Sequence, residues 1–153
     1  MGERKARRTD SSVRASVLVL VVALLPACGG ADVGAVDGPV LTSSPGLQGG
    51  MDAQVYGVLD LRDGCLLLAS EDFPEAYPVI WPAGTTWQEN PPAVVLEGGR
   101  AVELGTSVAG GGGYLQRDHL EQLVGSEVAD AAAACAGSTG EIALLNNSEI
   151  QVR

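Results

Sequence analysis

From Gln54 onward the chain switches repeatedly between two periodicities, and that switching constrains its fold more than any other feature. Val55, Gly57, Leu59 and Leu61 alternate with Gln54, Tyr56, Val58 and Asp60, the period near two of a half-buried strand. Asp63-Gly64 follows, a dipeptide suited to a two-residue hairpin turn. Cys65-Leu66-Leu67-Leu68-Ala69 then reads as a strand buried on both faces. Tyr77–Trp81 is another short strand, stopped by Pro82. Ala93–Glu97 and Arg100–Leu104 flank Gly98-Gly99, a second hairpin signal. Thr106–Ala109 predicts a short edge strand. Glu141–Leu145 and Glu149–Val152, around Asn146-Asn147-Ser148, predict a third hairpin.

One segment has the other period. Leu120, Leu123, Val124, Val128, Ala131, Ala132 and Cys135 share one face at helical spacing. Asp118 stands three residues before Glu121 and resembles the N-cap of a capping box. Ala136-Gly137 supplies a stop. Gly125 weakens the middle by about 1 kcal/mol relative to Ala and can split the helix, with Ser126 capping the second half. The expected fold is therefore mainly β (α+β): a small barrel- or sandwich-like domain of seven or so short strands, with one helix inserted near residues 118–135. The strand–helix–strand order resembles the OB-fold, a barrel with a helix between its third and fourth strands. More strands precede the helix here than in that fold, and the likeness carries no function.

The first residues have a different character. Arg4, Lys5, Arg7, Arg8 and Arg14 precede the apolar run Ala15–Leu25, then Pro26-Ala27-Cys28-Gly29-Gly30. A basic region followed by an apolar stretch of this length is the layout of an export signal, and the stretch is short of the ~20 residues that span a bilayer. Leu25, Ala27 and Cys28 resemble a bacterial lipobox, where diacylglycerol is attached to the cysteine and the chain is cut before it; Pro26 departs from the commoner small or β-branched residue. The resemblance implies a signal peptide over residues 1–27, lipidation at Cys28, and a small bacterial lipoprotein held on the outer or periplasmic side of the cell membrane. Plain secretion after an A-x-A-like cut, or an uncut short anchor, remain open alternatives. The Gly-, Ala-, Ser- and Pro-rich stretch over residues 28–53 predicts a flexible tether, leaving residues 54–153 as one β-rich globular domain.

That placement bears on the cysteines. With Cys28 lipidated, Cys65 and Cys135 remain in an oxidising compartment, which predicts a Cys65–Cys135 disulfide. The bond would close a long loop, contributing up to about 4 kcal/mol, and would pin the end of the helix onto the first hairpin. Beyond residue 27 the chain carries four arginines, no lysine and 17 acids, a formal charge of −13. Such a surface repels nucleic acid, which is bound through Lys and Arg, and anionic headgroups.

The catalytic motifs are sparse. No G-x-S-x-G occurs, and a serine triad would have to use His119, the lone histidine. Gly110–Gly113 lacks the third glycine of a dinucleotide fingerprint and the Lys-Ser/Thr of a P-loop; a flexible loop is expected there. Two cysteines and one histidine are too few for a structural metal site. Glu71, Asp72 and Glu75 cluster as carboxylates that could hold calcium or hydrolyse a cell-wall polymer. Tyr77, Trp81, Trp87 and Tyr114, with the loop Gly110–Tyr114, form a candidate platform for an envelope glycan or a partner protein. The sequence thus favours a non-enzymatic, lipid-anchored binding module without cofactor, with a calcium-binding module or a cell-wall hydrolase as alternatives.

Overall fold

The computed structural model describes residues 33–47, 51–70, 75–146 and 150–153; Cys28, Glu71 and Asp72 lie outside them. In chain order the described elements are β1 (Val36–Asp37), β2 (Val40–Thr42), β3 (Ala53–Arg62), β4 (Cys65–Ala69), β5 (Ala76–Trp81), β6 (Thr86–Glu89), β7 (Pro92–Val95), β8 (Ala101–Glu103), β9 (Ser107–Gln116), α1 (Arg117–Val124), α2 (Ser126–Cys135), β10 (Glu141–Leu145) and β11 (Gln151–Val152). The mainly β expectation holds.

β3 and β4 form the first expected hairpin, with Arg62 opposite Cys65. Asp63 and Gly64 turn it with φ of 51° and 82°, the two positive values a tight hairpin of matching twist requires. From there five strands close on themselves. β4 pairs β5, β5 pairs β10, β10 pairs β9, β9 pairs β3, and β3 returns to β4. In barrel order the strands run first, second, third, fifth, fourth, and only β5–β10 is parallel. A five-stranded barrel is what this circuit shares with the OB-fold, at the level of architecture only. The insertions differ: the helices lie between the fourth and fifth strands, and the three-stranded meander β6–β7–β8 lies between the third and fourth.

Period-two alternation divides the core. Inward residues Val55, Leu59, Leu66, Leu68, Val79, Trp81, Val108, Ala143 and Leu145 fill the barrel, and Val94, Leu96 and Val102 of the meander region join the same cluster. The outward faces of β2, β5 and β10 present Leu41, Ile80, Ile142 and Leu144 to Leu120, Val124, Val128, Ala129 and Ala132 of the helices. β10 is therefore apolar on both sides, which is why Ile142–Leu145 shows no alternation. The expected single helix is two. Gly125, at φ 85°, breaks it.

The disulfide is present, with Cα atoms of Cys65 and Cys135 5.7 Å apart. It ties the end of α2 to the β3–β4 hairpin from outside the barrel, because Cys65 faces away from inward Leu66 and Leu68. Arg117 adds a polar tie between the helices, reaching Glu121 at 2.8 Å and Asp130 at 2.7 Å.

Several expectations are corrected. Residues 33–47 are not tether. Val40, Leu41 and Thr42 are buried, and β2 runs parallel along β5 where β4 has left that edge, pairing Leu41 with Ile80. The Gly34 N–H donates to Val124 O (3.0 Å), fastening the chain onto the α1 end. Short sequence and small residues hid this strand. Thr106–Ala109 is not an edge but opens the long central β9, and Gly110–Gly113 is its middle, not a loop. There the strand passes so close to its neighbours that a Cβ on Gly112 would lie 1.9 Å from Leu144 O. The third hairpin does not form: β10 and β11 both lie along β9. Asp118 is not the cap. α1 starts two residues earlier than that cap implies, after Gln116, and Asp118 instead accepts from Arg117 at 3.3 Å. Ser126 is the first residue of α2, behind Gly125 as N-cap.

Candidate functional site

The directions of the five barrel strands decide what meets at each end. One end receives the starts of β3, β5 and β10 and the finishes of β4 and β9. It therefore gathers Tyr77, one residue into β5, Tyr114, near the end of β9, and Glu141, the first residue of β10. Tyr77 and Tyr114 are inward positions at the rim, in step with Val79 and Gly112, and both pack on the barrel core. Their rings meet edge to face, centroids 4.9 Å apart and planes at 61°, a favoured aromatic geometry. Tyr56 of β3, 49% exposed, and Ser70 complete the walls of a cleft of about 250 Å³ lined by Tyr56, Ser70, Tyr77, Tyr114 and Glu141. All three tyrosines of the chain are in it. Glu75 stands just outside, its Oε2 accepting a long hydrogen bond from Tyr77 Oη (3.5 Å).

The electrostatics follow from burial and acids together. Burial raises the Tyr77 phenol above its usual 10.0, and the negative charges of Glu75 and Glu141 raise it further. Burial also raises Tyr114, opposed by a hydrogen bond from the Tyr56 backbone that favours the ionised form. Both phenols therefore stay neutral hydrogen-bonding groups across physiological pH. The cleft combines aromatic surface, hydroxyls and carboxylates, a set that can bind through stacking, hydrogen bonds and charge. His119, the lone histidine, is exposed on α1 and is not among the residues that line the cleft.

The four aromatics singled out from sequence separate into three places. Tyr77 and Tyr114 are in ring contact. Trp81 does not belong to a surface at all. It is an inward position of β5, fully buried in the barrel, with its Nε1 lacking a partner among the described residues. Trp87 is half-buried on β6, its backbone N–H donating to Asp37 Oδ2 (3.0 Å) and its indole lying against Gly38. It clips the β1–β2 turn to the meander. Tyr56 and Glu141 were missed. Tyr56 occupies a solvent-side position of an alternating strand, where an aromatic residue is itself the signal. Glu141 had none, since its role comes from strand order. Glu75 is at the rim, while its companions Glu71 and Asp72 lie outside the described residues.

Among the described residues no group of three or more His, Cys, Asp or Glu is placed to hold a metal ion, and no helix is long and apolar enough to cross a membrane. Compared with known proteins, the chain matches no family model, no curated protein and no solved structure.

Proposed function

We propose that this protein is a non-enzymatic binding module of the bacterial cell envelope, lipid-anchored through Cys28, whose ligand enters the tyrosine-lined barrel end. The observation that carries the reading is the contrast of a barrel filled at one end by the meander and left at the other as a rim of Tyr56, Tyr77 and Tyr114. Tyrosine gives rigid amphipathic contact area at low entropic cost, which suits it to recognition. The anchor rests on the basic start, the apolar run and Leu25-Pro26-Ala27-Cys28. Residues 29–32 alone separate Cys28 from Val33. At about 3.5 Å per residue, an acylated Cys28 would hold the domain close to the bilayer, not on a long leash.

Two measurements test this. The intact mass of protein extracted from bacterial membranes should correspond to residues 28–153 plus acyl chains, and to two additional hydrogens after reduction. A mass retaining residues 1–27 would remove the anchor. The tyrosine ring signals of the same protein should then shift on addition of soluble envelope fractions. Signals that stay unmoved with every fraction would remove the binding site.

A further inference from the structure

Taking the tyrosine rim as a binding site, we propose that it receives the guanidinium of an arginine side chain on a basic partner protein. Charge accounting within the molecule leads there. Glu141 lines the cleft and Glu75 borders it, and no ion pair among the described residues uses either carboxylate. The described residues offer no lysine or uncommitted arginine of their own. Beyond residue 27 the chain contains four arginines and no lysine, and each arginine is engaged elsewhere. Arg62 pairs with Asp60. Arg117 is held by Asp118, Glu121 and Asp130. Arg100 donates to Ile150 O, and Arg153 donates to Gln151 Oε1. The negative charge at the rim is thus open to a cation from outside.

The walls select which kind. A metal ion is disfavoured because no group of three or more His, Cys, Asp or Glu among the described residues is placed to hold one. Anionic polymers are repelled by the same carboxylates. A guanidinium fits both parts of the site. Its flat face stacks on an aromatic ring while its edge donates in a fork to a carboxylate, and it sheds water more easily than an ammonium. The cleft, about 250 Å³, is below the roughly 300–1,000 Å³ of pockets that enclose drug-sized ligands. It suits one side-chain head, with the rest of the partner lying over the acidic exterior.

The test is a titration of the full membrane-extracted protein with three probes, read by the tyrosine ring signals. One is a short end-capped peptide whose only charged residue is a central arginine. The second is the same peptide with citrulline, which keeps the shape and loses the charge. The third is a neutral peptidoglycan disaccharide. The arginine peptide should shift the tyrosine signals and bind at least tenfold more tightly than the citrulline peptide. Glu141→Gln and Glu75→Gln should each weaken it several-fold, while Glu103→Gln, an exposed acid on β8, should leave it unchanged. Equal affinity for arginine and citrulline, or equal weakening by Glu103→Gln, would overturn the proposal. If the disaccharide shifts the tyrosines and the arginine peptide does not, the rim is a binding site of another class. If no probe moves them, the binding site itself falls with the proposal.

Discussion

At the end of the barrel where β5 finishes, Trp81 is fully buried and Val94, Leu96 and Val102 of the meander region pack into the same apolar cluster. Where β5 begins, one residue in, Tyr77 meets Tyr114 beside Glu141 and the core stops at hydroxyls and carboxylates. The same strand thus carries an aromatic inward at both ends, four residues apart, with opposite consequences. What separates them is the insertion that follows. The chain between β5 and β9 folds back over the finishing end of β5, and the described chain covers the starting end with no comparable apolar sheet. Burial of an aromatic here is decided by topology, not by the residue or by its facing.

That contrast can be broken by experiment. Trp81→Ala leaves a large void in a packed interior and should cost about 3–5 kcal/mol, measured by denaturant unfolding. A cost equal to that of Tyr77→Ala would mean the two ends are equally filled. Reducing the Cys65–Cys135 bond frees α2 from the hairpin and should cost about 2–4 kcal/mol. Because the bond lies outside the barrel, the tyrosine ring signals should survive reduction while the melting temperature falls. Gly112→Ala forces a Cβ against Leu144 O and should cost about 1–3 kcal/mol by overpacking. It should perturb β9 near the rim more than Trp81, which side-chain spectra would locate.

The smallest effect is on pH dependence. Raised phenol pKa values at Tyr77 and Tyr114 mean the folded state holds those protons more tightly than the unfolded chain. Their contribution is therefore fully present below pH 10 and is lost as pH rises through the folded values. Spectroscopic titration should show two tyrosines ionising above the ordinary range. Glu141→Gln, which removes one repelling charge, should bring both midpoints down. Midpoints unchanged by that substitution would mean the rim carboxylate does not face the phenols.

How far the sequence revealed this follows from which features are local. The Asp63-Gly64 hairpin and the cysteine pair depend on a turn and on a small count of cysteines, and both were legible; Gly125 marked where the expected single helix could split. β9 was not legible. Its glycine run reads as a loop until one knows that β3 and β10 flank it, and that contact leaves no room for a side chain at Gly112. β2 was hidden for a similar reason: three residues in a Gly- and Pro-rich stretch become a strand only because β5 offers a vacant edge. Tyr77 and Tyr114 were nameable as aromatics, but their meeting needs the parallel β5–β10 pairing. Trp81 was misplaced because alternation within β5 gives a residue's face without saying whether that face is covered.

β10 carries one more consequence, in time instead of space. It is the last of the five barrel strands along the chain, yet it alone joins β5 to β9 and supplies Ile142 and Leu144 to the helices. Closure requires contacts between segments far apart in sequence, the kind that slow folding. A chain made from its first residue onward therefore has no finished barrel until Glu141–Leu145 has been added. Strand order makes the chain late to fold, and a truncation before Glu141 should leave it unable to fold at all.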